Sequence, residues 1–210
     1  MIRIVFSKTG YAKYISHLDL TRCMARMFAR ADVPIWYTEG FNPHPYMVFS
    51  AALPIGVYGE NELLDIKLNE KCDFTELLDR MNKTAPEGIS FKEIYESDKD
   101  FKFVDKAIYK IEIPEEIEAK FNEFLESPEI PVLKKTKKGE ATVDLKAEIQ
   151  IKKLGNENGK ALYEAVAPCG NEKNISPTLL SGAFAEKTGD DTIFTISRTM
   201  FLTKNSEIFR

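Results

Sequence analysis

The chain has 210 residues, of which 43% are hydrophobic and 30% are charged, and its formal net charge is −4. This composition supplies enough apolar surface for a packed core and excludes a wholly disordered chain. No apolar run approaches the roughly 20 residues that span a bilayer, and the first ten residues lack the apolar segment of a secretory signal. We therefore expect a cytoplasmic protein with no membrane association.

The three cysteines, Cys23, Cys72 and Cys169, are odd in number and far apart in the sequence. A disulfide framework needs pairs of cysteines, and a metal knuckle needs closely spaced ones. The spacing also excludes the close three-cysteine cluster that would hold an iron–sulfur centre. We therefore expect reduced thiols, no bound metal and no cofactor.

Charge is distributed unevenly along the first half of the chain. Residues 1–50 carry six Lys/Arg against three Asp/Glu, whereas residues 51–100 carry six against twelve. The basic start favours an anionic ligand there, although solvated surface charge produces differences of this size by chance.

The first half of the sequence predicts elements in the order β-α-β-β-α-β. Residues 2–6 have strand composition, and Ser16 with Asp19 forms a capping box before apolar residues at helical spacing. Residues 38–45 contain two prolines and a glycine, which predicts a rigid, irregular loop. The remaining predicted elements are strands at 46–53 and 63–68, a helix at 74–81 and a strand at 89–95.

The second half predicts the same order again, with an extra hairpin or arm inserted around residues 131–145. The predicted elements are strands at 107–113, 131–136, 146–154, 162–168 and 192–202, and helices at 115–125 and 176–189. This order predicts an α+β fold of two tandem ferredoxin-like units with antiparallel sheets, in which the helices leave one sheet face open. The expected domains are residues 1–98 and 105–210, joined by a charged linker.

Four short motifs follow one another in the first half of the chain. They are Phe6-Ser7-Lys8-Thr9-Gly10, Tyr14-Ile15-Ser16-His17-Leu18-Asp19-Leu20-Thr21-Arg22, Glu39-Gly40-Phe41-Asn42-Pro43-His44-Pro45 and Ala52-Leu53-Pro54-Ile55-Gly56-Val57. Together they resemble the radical-SAM-associated family of unknown function, and four motifs in order are far more specific than one. The resemblance implies a partner, a radical SAM enzyme on a separate chain, but it assigns no reaction to this protein.

The chain has only two histidines, His17 and His44, and both lie inside these motifs. Histidine acts as a general base, a general acid or a metal ligand near neutral pH, and two histidines at one cleft could cleave RNA through its 2′-hydroxyl. In the structural alternative, His17 packs at the start of the helix and His44 fixes its loop through hydrogen bonds.

Arginines recur every four residues on the first predicted helix, which places their guanidinium groups in one stripe. Such a stripe suits phosphate or carboxylate, and aromatic residues around the loop could stack on unpaired bases. A solvated helix face and core aromatics would give the same pattern. The candidate ligand-binding residues are Arg22, Arg26, Arg30, Lys8, His17, Phe41, Asn42, His44 and Tyr46, with Arg3 and Lys13 nearby.

We therefore expect a non-catalytic accessory module that binds a substrate, RNA in the first place, for a separate radical SAM enzyme. One alternative is a metal-independent endoribonuclease-like enzyme that uses His17 and His44. Another is a protein–protein adaptor that binds no nucleic acid. Neither a GxxxxGK[ST] nor a GxGxxG run occurs, which argues against nucleotide hydrolysis. The lysine-rich run at 134–138 is predicted to be a solvated hairpin tip.

Overall fold

A computed structural model describes residues 1–136 and 139–210, so part of the predicted lysine-rich tip, Lys137 and Lys138, lies outside the described residues. The chain forms two compact units: unit 1 comprises Met1–Phe103 with Arg210, and unit 2 comprises Val104–Phe209. Helices and antiparallel strands occur together in each unit, and the predicted α+β class is confirmed. Within the described residues, no helix combines the length and apolar character that a membrane span requires.

Unit 1 has four strands and two α-helices. These are β1 (Ile2–Lys8), α1 (His17–Arg30), β2 (Met47–Phe49), β3 (Tyr58–Ile66), α2 (Phe74–Thr84) and β4 (Ile89–Glu96). Within this unit the strands lie in the order β4-β1-β3-β2, and each of these pairs is antiparallel. The short strand β2 is therefore an edge strand of the unit.

The start of α1 is fixed by the predicted capping box. The Ser16 hydroxyl accepts from the Asp19 backbone N–H at 3.1 Å and donates to the Asp19 carboxylate at 2.7 Å. Leu20, Met24 and Met27 recur at helical spacing and are buried against β1 and β3. Because this apolar stripe fixes the rotation of the helix, its arginines face solvent.

The sheet face opposite the helices is not open at β1 and β3, so the expectation of an open face is wrong there. Arg3 and Asp65 both lie on this face, and they are 0% and 5% exposed. Arg3 binds the Asp65 carboxylate through two hydrogen bonds of 2.8 Å, and the Phe101 ring lies 4.3 Å from its guanidinium carbon. Arg3 is thus a structural residue and contributes nothing to a basic surface.

Unit 2 contains β5 (Val104–Pro114), α3 (Glu118–Leu125), β6 (Pro131–Thr136), β7 (Gly139–Asp144), α4 (Leu145–Glu148), β8 (Gln150–Glu157), β9 (Lys160–Pro168), α5 (Leu179–Thr188) and β10 (Thr195–Thr203). Its main sheet has the antiparallel order β10-β5-β9-β8, while β6 and β7 form a separate hairpin. The strand predicted from residue 146 begins later, because the Asp144 carboxylate accepts from the Lys146 N–H at 3.0 Å and starts a helical turn.

Candidate functional site

A cleft of about 530 Å³ lies in unit 1 between the first half of α1 and the edge strand β2. We call it the α1–β2 cleft. Its lining includes His17 and Arg22 from α1, His44 from the segment before β2, and apolar side chains of β2. The structure thus brings both histidines and one of the three predicted arginines to the same cavity.

Residues of one helix face form the α1 wall of the cleft, because His17, Thr21 and Ala25 are four residues apart and project on the same side. The His17 ring packs edge-on against the Phe49 ring of β2, with centroids 4.9 Å apart. Arg22 lies beside them with a side chain that is 62% exposed, and its contact with Asp19 is long at 3.5 Å. Such a surface pair is weak, so an anionic ligand can compete for the guanidinium group.

The opposite wall is formed by β2 and by His44 and Pro45. These two residues belong to the segment 36–46, which forms a short hairpin rather than an irregular loop. The Tyr46 N–H donates to the Trp36 carbonyl at 2.9 Å, and the Thr38 N–H donates to the His44 carbonyl at 2.9 Å. Prolines and Gly40 prevent regular strands here, as the sequence predicts, and the cross-hairpin bonds give the segment its defined shape.

His44 is held in one tautomer by this hairpin. Its Nδ1 lies 3.2 Å from the Asn42 carbonyl oxygen and 3.0 Å from the Thr38 hydroxyl. Because a carbonyl only accepts, the proton of the neutral ring belongs on Nδ1, and Nε2 carries the lone pair. In the described part of the chain Nε2 makes no hydrogen bond, so it can accept a proton or a hydrogen bond from a ligand.

The tip of the hairpin carries Phe41, whose side chain is fully exposed and therefore unpacked. An exposed aromatic ring offers a flat apolar face on which a partner can stack. Asn42 is exposed beside it. Tyr46 instead lies at the hairpin base, half-buried beside Trp36 and with the Lys67 amine 4.6 Å from its ring, so it supports the hairpin and is absent from the cleft lining.

The other predicted cations are in different positions. Lys8 is 0% exposed and donates to the Ile15 carbonyl at 2.9 Å, so its assignment as a ligand-binding residue is wrong: burial removes it from any surface ligand. Arg30 is exposed but donates to the Thr84 carbonyl at 3.1 Å, at the end of α2. Arg26 is exposed on α1 outside the cleft lining.

Two contributors were missed by sequence reasoning. Thr38 holds the His44 ring, and Phe49 supports His17. Lys13, which the sequence already places near the arginine stripe, lies in the 3₁₀ helix before α1. A hydrogen bond from Lys13 to the Tyr58 hydroxyl at 2.8 Å raises the pKa of the lysine, which remains charged at neutral pH. The Thr38 and Phe49 contacts had no sequence signal, because they depend on tertiary packing.

A larger groove of about 1210 Å³ opens elsewhere in unit 1, at the ends of β1, β3 and β4. It is lined by side chains of both charges, including Lys67, Glu70 and Lys71, and by neither histidine. We prefer the smaller α1–β2 cleft because hydrogen-bonding and cationic groups from separate motifs converge there. Among residues 1–136 and 139–210, no group of three or more His, Cys, Asp or Glu side chains could hold a metal ion.

Comparison with known proteins gives a family but no activity. Residues 1–177 match the family described as "Uncharacterized protein conserved in bacteria (DUF2344)". A crystal structure of an unknown protein from Galdieria sulphuraria aligns over 93% of this chain and 94% of that chain, at 12% identity and a TM-score of 0.28, which carries no argument about the fold. No curated protein matches the chain. Since the match covers most of its length, the chain belongs to the DUF2344 family of uncharacterized bacterial proteins.

Proposed function

We propose that this protein is an accessory substrate-binding module that holds single-stranded RNA at the α1–β2 cleft. The observation that carries the proposal is the meeting of Arg22, His17 and His44 in one cleft. Phe41, at the tip of the hairpin that carries His44, is fully exposed and lies outside the cleft lining. Cations for phosphates and an unpacked ring for bases are the two components that proteins combine to bind unpaired nucleic acid.

Electrostatics support an anionic ligand. Among the described residues that line the cleft, none is Asp or Glu, whereas Arg22 supplies a permanent positive charge. Arg26 extends the positive stripe along the exposed side of α1. Each phosphate that these groups contact would release counterions, so binding would weaken as salt rises.

The position of the exposed aromatic ring favours the hairpin over the sheet as the base-binding surface. Binding on a sheet face requires aromatic side chains that point to solvent. The aromatic side chains in the main sheet of unit 2 are Tyr109, Tyr163 and Phe201, and all are buried to 1% exposure. In unit 1 the corresponding face is closed at Arg3 and Asp65.

Replacing Arg22 and Arg26 together with alanine should weaken binding of a short oligoadenylate about tenfold at low salt. The slope of log affinity against log salt should also fall by about 1.4, because two phosphate contacts are lost. Fluorescence anisotropy over a salt series measures both quantities. The matched control replaces Lys83 and Lys102, which are exposed lysines of unit 1 outside the cleft. Equal effects of the two double variants on affinity and on salt dependence would show that the α1–β2 cleft is not where the oligoadenylate binds.

A second candidate function is RNA cleavage, and the specific observation in its favour is that His17 and His44 share the cleft. Nε2 of neutral His44 would take the proton of a 2′-hydroxyl as its oxygen attacks the phosphorus. Protonated His17 would give a proton to the departing 5′-oxygen, leaving a 2′,3′-cyclic phosphate and a 5′-hydroxyl.

If the protein cleaves RNA, replacing His44 with alanine should slow cleavage about 100-fold while leaving affinity nearly unchanged, because a general base contributes mainly to the transition state. Gel analysis of end-labelled RNA would measure the rate. His44→Gln serves as the control, since an amide accepts hydrogen bonds but is not a base. Intact RNA after incubation with the wild-type protein would reject the enzyme and leave the binding module.

Each unit is further proposed to be a ferredoxin-like domain, with boundaries near residues 1–98 and 105–210. The β-α-β-β-α-β order and the strand orders β4-β1-β3-β2 and β10-β5-β9-β8 support this assignment. The proposed partner remains a radical SAM enzyme on a separate chain in the cytosol, and it rests on the sequence motifs alone. The adaptor alternative becomes the better account if the wild-type protein binds no RNA.

A further inference from the structure

Neighbouring side chains of a strand lie on opposite sheet faces, yet all three residues of β2 line the α1–β2 cleft, so we take the outer edge of the strand to border it. Met47, Val48 and Phe49 all line the cleft, and β2 pairs with β3 through a register that sets Val48 opposite Asp65. The strand is only three residues long, and α1 forms the other wall of the space beside it.

Hydrogen-bond alternation decides which residues point their main chain into that space. In an antiparallel pair, residues alternate between those bonded to the partner strand and those whose N–H and C=O point away from it. The Ser50 N–H donates to the Leu63 carbonyl at 3.0 Å, so Val48, two residues earlier, also faces β3. Met47 and Phe49 therefore direct their N–H and C=O groups outward.

These outward groups have no partner among the described residues of the chain. Unpaired edge groups are templates for hydrogen bonding with another molecule. In a strand the N–H and C=O of one residue project side by side, so together they offer a donor next to an acceptor. The Watson–Crick edge of an unpaired base carries an acceptor next to a donor, which complements that pair.

We infer that the main chain of Met47 and Phe49 reads the Watson–Crick edges of unpaired RNA bases, with phosphates at Arg22. This inference rests on the proposed function and specifies how the cleft would select its ligand. The main chain offers the same groups to every base, so recognition should tolerate any sequence but should require single strands, because duplex bases already use these edges. Charge favours RNA over a peptide strand, since the described cleft lining includes the guanidinium of Arg22 and no carboxylate.

Amide hydrogen exchange of the wild-type protein tests the inference directly. A short oligoadenylate should slow exchange at Met47 and Phe49, whereas the Val48 amide, which already faces β3, should change little. An RNA duplex of equal length should not slow exchange at these two amides, although it carries more phosphate.

A matched pair of variants gives a second test. Met47→Pro removes the outward N–H, and proline is tolerated on an edge strand where that N–H faces solvent. Met47→Ala removes the same side chain but keeps the N–H. The proline variant should bind oligoadenylate about five- to tenfold more weakly than the alanine variant, the effect expected for one hydrogen bond.

The outcomes separate the inference from the proposed function. Oligoadenylate binding with unchanged exchange, and equal affinities of the two variants, would overturn main-chain reading while leaving RNA binding intact. No binding of oligoadenylate by the wild-type protein would overturn both. If a glutamate-rich peptide slows exchange at Met47 and Phe49 and RNA does not, the edge accepts a polypeptide strand and the inference is overturned.

Discussion

Replacing Asp65 with alanine is expected to lower the free energy of unfolding by about 3–5 kcal/mol, because it leaves the guanidinium of Arg3 buried without its carboxylate. Arg3 is 0% exposed and meets both Asp65 oxygens at 2.8 Å. The Lys99 carbonyl and the Phe101 ring also contact Arg3, but neither carries a negative charge to replace the lost one. Urea unfolding followed by circular dichroism measures the loss.

The control for this experiment is Asp79→Ala. Asp79 pairs with Lys83 at 2.6 Å, but these side chains are 60% and 71% exposed. Water screens such a pair, so its loss should cost only about 0.5 kcal/mol. A second check is the double variant Arg3→Met, Asp65→Leu, which should recover most of the stability because no buried charge remains. Equal losses in Asp65→Ala and Asp79→Ala would show that the buried pair contributes no more than a surface pair.

Arg3 also shows what composition cannot reveal. Counting basic residues in the first 50 positions placed Arg3 and Lys8 with Arg22 in one cationic region. Side-chain burial separates them, since Arg3 and Lys8 are buried and Arg22 lies at the surface. The sequence of β1 does not alternate between apolar and polar residues in a way that predicts the burial of Arg3. Residues on both faces of this strand are buried, and Arg3, on the face opposite the helices, is paired with Asp65.

Local signals predicted α1 well because its causes are local. The capping box at Ser16 and the buried stripe from Leu20 to Met27 both appear in the structure. The start of β8 was misplaced because capping by Asp144 makes a helical turn out of a segment with strand-like composition. One side-chain hydrogen bond decides here between a short helix and a strand, and the spacing of apolar residues does not reveal that bond.

The candidate site was predictable in part. Motif membership singled out His17 and His44, the arginine spacing on α1 singled out Arg22, and the structure places all three around one cleft. The meeting of α1 with the hairpin is a tertiary event, so no spacing in the sequence could establish it. The free main-chain groups of Met47 and Phe49 were beyond sequence reasoning altogether, because they depend on the register of β2 against β3.

Replacing Gly88 with alanine is expected to destabilise the protein by about 3 kcal/mol and to weaken the proposed binding of RNA at the same time. Gly88 has φ +85°, which strains any other residue, and an added Cβ would lie 2.4 Å from the Thr9 carbonyl oxygen. The Gly88 carbonyl also accepts from the Thr9 N–H at 2.7 Å. Relief of the clash must therefore move Thr9, which immediately precedes the 3₁₀ helix Gly10–Tyr14 that leads into α1.

Gly56→Ala is the matched control, because Gly56 has φ +87° but an added Cβ there would meet nothing within 4 Å. It isolates backbone strain, which should cost about 1 kcal/mol, from the additional clash at Gly88. Urea unfolding measures stability, and anisotropy with oligoadenylate reports on the cleft. A similar loss of stability in both variants would mean that Thr9 moves away from the added Cβ at little cost. The Ser16 cap and the buried stripe would then be sufficient to position the start of α1.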